Sequence, residues 1–152
     1  MAPFDLDTAA RFGTGPARLV SLALMMTTRD GADRLTFDPS RRSGAGSSTV
    51  ECRIGGDWYS LIPPPDTVLP KLTRLLRELA GGPGGRFTAR LDGCEFAVRV
   101  QIGPVPNAPS SAGECSTLDL PVLPELSGRA NEVLDSHFDE NGCVYFDDSE
   151  FA

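Results

Sequence analysis

The side chains best suited to catalysis or metal binding are scarce in this sequence. His137 is the single histidine, Lys71 the single lysine, and Cys52, Cys94, Cys115 and Cys143 are the four cysteines. The cysteines stand 42, 21 and 28 residues apart. They therefore form no C-x-x-C knuckle for zinc or for a redox dithiol. One histidine cannot build a His-based metal site, and no Ser-His-Asp set is recognisable around it. Lys71 sits in Leu69-Pro70-Lys71-Leu72, without the upstream glycines a phosphate loop needs. His137–Asp148 echoes a calcium loop, with Gly142 at position six, Val144 at eight and Asp148 at twelve. Its first ligand would be a histidine, however, and its last lacks the reach of a bidentate glutamate. The expectation there is instead a hairpin around Asn141-Gly142, joining Phe138 to Val144-Tyr145-Phe146 and able to extend a sheet edge or capture a partner's strand. No metal, no cofactor and no catalytic residue is expected.

Arginine supplies thirteen of the fourteen bases. With 152 residues, 40% hydrophobic and 23% charged, the chain has the size and composition of one soluble domain with its own core. The longest mainly apolar stretch, Leu19–Met26, interrupted by Ser21, falls far short of the ~20 residues that span a bilayer. Cysteines without a pairing pattern suit reduced thiols in a cytoplasmic protein. The net charge of −7 is localised. Glu125, Glu132, Asp135, Asp139, Glu140, Asp147, Asp148 and Glu150 face Arg129 alone in residues 125–152, leaving the rest neutral. A neutral body with an acidic end excludes the basic footprint of a nucleic-acid binder and disfavours anionic membranes. Within that end, Asp139, Glu140, Asp147 and Asp148 form a candidate docking tail for a basic partner.

The elements that must carry these side chains are marked by turns and periodicity. A helix is expected from about Pro16 to Thr28, with Leu19, Leu22, Ala23 and Met26 on one face. A short strand, Leu35-Thr36-Phe37, is expected to stop at Asp38-Pro39, before a Gly- and Ser-rich loop over Ser40–Ser48. Gly55-Gly56 joins strands Thr49–Ile54 and Asp57–Ile62, and Asp92-Gly93 joins Arg86–Leu91 and Cys94–Ile102. Counting from the second turn sets Leu91 against Cys94, Ala89 against Phe96 and Phe87 against Val98 on an apolar face. The polar face then holds Arg90 opposite Glu95 and Arg86 opposite Arg99. Between the hairpins, Asp66 is placed to cap a helix with a stripe of Val68, Leu72, Leu75, Leu76 and Leu79, ended by Gly81-Gly82-Pro83. A last strand is read at Ser116–Leu120. The expected fold class is α+β, an antiparallel sheet of about six strands with two helices packed on one face. Residues 1–120 form the domain, and 121–152 form a linker, through Pro121–Gly128, and the acidic tail.

Several stretches, taken in order, resemble the N-terminal domain that precedes the motor domain in type II secretion and type IV pilus assembly ATPases. In that family a helix of the form P-x-x-x-L-V-x-x-x-L leads into G-A-S-D-I-H-I-E-P. Here Pro16-Ala17-Arg18-Leu19-Val20 leads into Gly31-Ala32-Asp33-Arg34-Leu35-Thr36-Phe37-Asp38-Pro39. The family's V-R-Y-R-I-D-G is met by Val50-Glu51-Cys52-Arg53-Ile54-Gly55-Gly56. Its P-P and leucine-rich helix resemble Pro64-Pro65 and the helix ending Leu79-Ala80-Gly81. Its D-G-R-x-x-x-R-L-x-G-R-E-V-D-x-R-V is similar to Gly84-Gly85-Arg86 through Arg99-Val100. Its closing L-P-T…G-E-R resembles Gly103-Pro104-Val105 and, after an insertion, Gly113-Glu114-Cys115. The resemblance spans roughly residues 16–120. Charged positions of the pattern are replaced at Glu51, Gly55, Gly84, Cys94, Ala97, Cys115 and Asp119, while the apolar skeleton and turns survive.

The resemblance implies a degenerate, stand-alone copy of that domain, without ATPase activity, since no backbone cradle or lysine holds the phosphates. In the family, arginines of this domain approach nucleotide held by the motor. The matching residues are Arg53, Arg86 and Arg99, which become candidate contacts for an anion or a partner. The function so implied is a non-enzymatic protein-interaction module, an adaptor or regulator, with a secretion or pilus component as partner. The alternative from composition is an acidic cytoplasmic chaperone or immunity-type partner-binding protein.

Overall fold

The computed structural model describes residues 3–42, 48–61, 68–82, 84–104 and 114–138. The hairpin expected around Asn141-Gly142 and the acids Asp139, Glu140, Asp147 and Asp148 lie outside them, as does the capping position Asp66. In chain order the described elements are β1 (Phe4–Asp5), α1 (Leu6–Phe12), α2 (Gly15–Arg29), β2 (Arg34–Arg42), β3 (Ser48–Ile54) and β4 (Asp57–Ser60). They continue with α3 (Val68–Ala80), β5 (Gly84–Leu91), β6 (Cys94–Pro104), β7 (Glu114–Asp119) and α4 (Pro124–Asp135).

The strands form one seven-stranded sheet in the order β1-β5-β6-β7-β2-β3-β4. The class is α+β, as expected, but the sheet is mixed: β1 runs parallel to β5, with Phe4 beside Ala89 and Asp5 beside Arg90. A two-residue strand and a seven-residue helix, α1, offer too few positions for periodicity to reveal them. The strand expected to end at Asp38-Pro39 instead continues to Arg42, with its register to β3 shifting between Asp38 and Arg42. Irregular pairing is where a sheet accepts a proline, which has no N–H to donate.

The second hairpin pairs as its turn dictates, including Phe87 with Val98, Arg90 with Glu95 and Arg86 with Arg99. Asp92 and Gly93 take φ of 50° and 78°, the positive values of the tight turn whose twist matches the strands. Alternation then sends Phe87, Ala89, Leu91, Phe96, Val98 and Val100 into the core, where each is at most 6% exposed. Leu118, Leu35 and Cys52 continue this buried face across β7, β2 and β3.

Helix α2 begins behind Thr14, whose hydroxyl accepts from the Ala17 N–H, and it buries Leu19, Val20, Leu22, Ala23, Leu24 and Met25. It packs against α1, α3 and α4, and α3 covers β5, β6 and β7. Helix α3 buries Val68, Leu69, Leu72 and Leu76 and ends at Gly81, where the Gly82 N–H returns to the Arg77 carbonyl.

The segment read as a linker from Pro121 to Gly128 is the main correction. Pro124 opens α4, a helix that inserts Leu126, Ala130 and Leu134 into the core, all 0% exposed. Full burial of a leucine side chain is worth about 1.5–3 kcal/mol, so α4 belongs to the fold. Polar ties add to this packing. Ser127 Oγ donates to the carbonyl of Arg29 at the end of α2, 2.5 Å away. Arg129 donates to the Asp92 carbonyl at 2.9 Å, holding the β5–β6 turn. His137 Nε2 meets Asp7 Oδ1 at 2.7 Å, and Arg11 donates to Ser136 Oγ at 2.8 Å, joining the end of α4 to α1. The single histidine is thus held in a structural contact between two helices. A pattern of buried residues four apart was visible here, but the surrounding acids and the proline masked it.

Candidate functional site: an arginine row on the outer sheet face

Residues paired directly across strands share a face, so the registers can be read straight across the sheet. Arg86 on β5 faces Arg99 on β6, Arg99 faces Asp119 on β7, and Asp119 faces Arg34 on β2. Arg34 faces Arg53 on β3, and Arg53 faces Trp58 on β4. One row on the face opposite the core therefore carries four arginines, one aspartate and one tryptophan. The flanking row, Gln101, Thr117, Thr36, Glu51 and Ser60, is polar throughout.

Two arginines of this row are neutralised. Arg53 donates Nε to Asp33 Oδ1 at 3.0 Å and Nη2 to Asp33 Oδ2 at 2.7 Å. Its guanidinium lies 6.0 Å from the Trp58 ring centre, within reach of the ring's negative face. Hydrogen bonding from Arg53 holds the Asp33 carboxyl below its ordinary range, outweighing the opposing effect of burial. Asp33 in turn raises the guanidinium above its usual value. Arg34 donates Nε to Asp119 Oδ1 at 2.7 Å. On the same face, Arg90 pairs with Glu95 at 2.8 Å.

Arg86 and Arg99 differ from these. Both are exposed, and neither forms a hydrogen bond or ion pair among the described residues. Counting from the hairpin turn makes them a non-hydrogen-bonded pair, the kind whose Cα atoms approach to about 4.5 Å. Like charges so placed cost up to ~1 kcal/mol. They border a shallow cleft of about 440 Å³ whose other lining residues include Phe96, Ala97, Pro121 and Leu123. Arg86 also borders depressions against Gly84 and Gln101 and against Phe4 and Ala80.

Of the three arginines singled out in the sequence, Arg86 and Arg99 are therefore brought together. Arg53 stands apart, four strand spacings or about 19 Å from Arg86, and is engaged by Asp33. Sequence reading missed Asp119 and Trp58 as members of the row and Asp33 as the partner of Arg53. The Gly55-Gly56 turn carried the signal for Trp58, because counting back from it sets Arg53 opposite Trp58. Asp119 gave no local signal, since it meets Arg34 across 85 positions of chain.

Among the described residues no group of three or more His, Cys, Asp or Glu side chains could hold a metal ion. No described helix is long and apolar enough to cross a membrane. Cys52 is buried, and burial is the main cause that pushes its thiol pKa up.

No protein-family model and no curated protein matches the chain. Among solved structures it is similar to the ATPase DotB of Legionella pneumophila, at 13% sequence identity and a TM-score of 0.45. That alignment covers 69% of this chain and 28% of DotB, so the chain spans little more than a quarter of that protein's length.

Proposed function

We propose that this chain is a non-enzymatic protein-interaction module, an adaptor or regulator that engages a secretion or pilus-assembly component through the outer face of its sheet. The motif order shared with the N-terminal domains of the assembly ATPases supports the choice of partner. The observation that carries the reading is the Arg86–Arg99 pair: two like charges in direct register, neither hydrogen-bonded nor ion-paired to any described side chain, on a sheet face that the helices leave open. A repulsive pair is favourable once a partner's anionic group lies between the two guanidinium groups.

Affinity capture from the source cell tests this, with the native chain compared against an Arg86→Ser/Arg99→Ser variant. The expected result is a secretion or pilus component retained by the native chain and lost by the variant, with the circular dichroism spectrum unchanged. Capture indifferent to both arginines but abolished by deleting residues 139–152 would overturn it in favour of an acidic chaperone or immunity-type protein. Steady ATP hydrolysis by the purified chain would overturn the non-enzymatic part.

A further inference from the structure

The cleft between β5, β6 and the start of α4 combines two features that suit one kind of ligand. Its charged side is Arg86 and Arg99. Its apolar side is Ala97 on β6 and Pro121 and Leu123 on the segment entering α4, and Leu123 is 46% exposed. The adjoining Val122 is 54% exposed. The two carboxylates at the rim do not neutralise the site. Glu95 forms its ion pair with Arg90, and Asp119 forms its own with Arg34. Two positive charges thus stand beside an exposed apolar lip that no described element covers. A simple anion would satisfy the guanidinium groups and leave the lip wet. A purely apolar peptide would cover the lip and desolvate unpaired charge, which is costly.

Resting on the reading of the chain as a protein-interaction module, we propose that this cleft binds a partner's extended acidic segment in which a large apolar side chain lies next to carboxylates. In such a segment, residues two apart project to the same side about 7 Å from each other. One carboxylate bridges Arg86 and Arg99, which offer charge-assisted hydrogen bonds. The neighbouring apolar side chain lies against Leu123 and Pro121. Charge complementarity excludes a basic segment, and the apolar lip discriminates against free phosphate.

Fluorescence anisotropy with the full chain tests this, using a fluorescein-labelled peptide, Gly-Asp-Phe-Glu-Asp-Gly, and a second peptide with serine in place of its phenylalanine. The first peptide should bind, weakening as salt rises. Arg99→Ser should weaken it at least about tenfold, the equivalent of one hydrogen bond to a charged group. Leu123→Ser and the serine peptide should each weaken binding about fivefold, while Arg74→Ser on α3 should change it less than about twofold because Arg74 lies outside the cleft. Arg99, Leu123 and Arg74 are exposed positions, and a cooperative thermal transition retained by each variant confirms that the loss is one of contact.

Equal binding of the two peptides, or displacement by inorganic sulfate or ATP at the peptide's own concentration, would overturn the proposal in favour of a plain anion site. Binding that appears only after Asp147→Asn, Asp148→Asn and Glu150→Gln are combined would overturn it in favour of the chain's own C-terminal segment. A peptide that fails to bind, while partner capture still depends on Arg86 and Arg99, would end this inference and leave the module reading standing.

Discussion

Arg53 on β3 grips Asp33, the residue just before β2, through two parallel N–H···O bonds of 3.0 and 2.7 Å. The pair lies at the edge of the outer-face row, and the Asp33 N–H also donates to the Arg53 carbonyl at 3.0 Å. A side-chain fork and a backbone bond thus fasten the same two residues. The fork is partly solvated, with side chains 29% and 41% exposed, so its effect on stability is screened by water and salt.

The pH dependence of that pair has a definite sign. Arg53 depresses the Asp33 pKa in the folded state, below the value of about 3.9 that an unfolded aspartate shows. The stabilisation is therefore fully present above the unfolded value. It declines as the pH falls toward the lower folded value and is gone beneath it. Urea unfolding of the native chain and Asp33→Asn should show a constant difference from pH 7 to about pH 5. That difference should shrink toward the acid limit, and a gap that widened on acidification would refute the assignment.

Replacing one member of the opposed arginine pair should separate stability from binding. Arg86→Glu sets a carboxylate directly across from Arg99. Exchanging a like-charge cross-strand pair for an opposite-charge pair should stabilise the fold by roughly 0.2–1 kcal/mol. The same change fills the site with an internal anion and should abolish partner capture. Denaturant unfolding and the capture assay, run on one preparation, check both halves.

Helix α4 should be as necessary as any strand. Leu134 is fully buried near its end, and Leu134→Ala leaves a cavity whose cost runs to about 2–5 kcal/mol. Glu132→Ala, two residues earlier on the exposed side of the same helix, should stay within about 0.5 kcal/mol. Loss of cooperative unfolding at lower urea in the first variant alone is the expected observation.

Thiol chemistry should report burial. The Cys52 thiol is 1% exposed and its pKa is raised by desolvation, so the thiolate that reacts is scarce. Cys94 and Cys115 are only partly buried. Brief alkylation with iodoacetamide followed by peptide mapping should modify Cys94 and Cys115 and spare Cys52 until the chain is unfolded.

What could be read from the residues alone was local. The Asp92-Gly93 turn determined a complete register, and with it the Arg86–Arg99 opposition, because a two-residue turn leaves the flanking strands one way to pair. Apolar spacing located α2 and α3 because each spans three turns or more of helix. The tertiary structure decided the rest. It seated β7 between β6 and β2, which brings Asp119 to Arg34 and completes the row across the sheet. It recruited α4 into the core despite a proline and a run of acids, since burying Leu126, Ala130 and Leu134 outweighs local composition. It separated Arg53 from the other two candidate arginines by seating β7 and β2 between them, and engaged it with Asp33. These outcomes depend on contacts between distant parts of the chain, whose energies no short window of sequence contains.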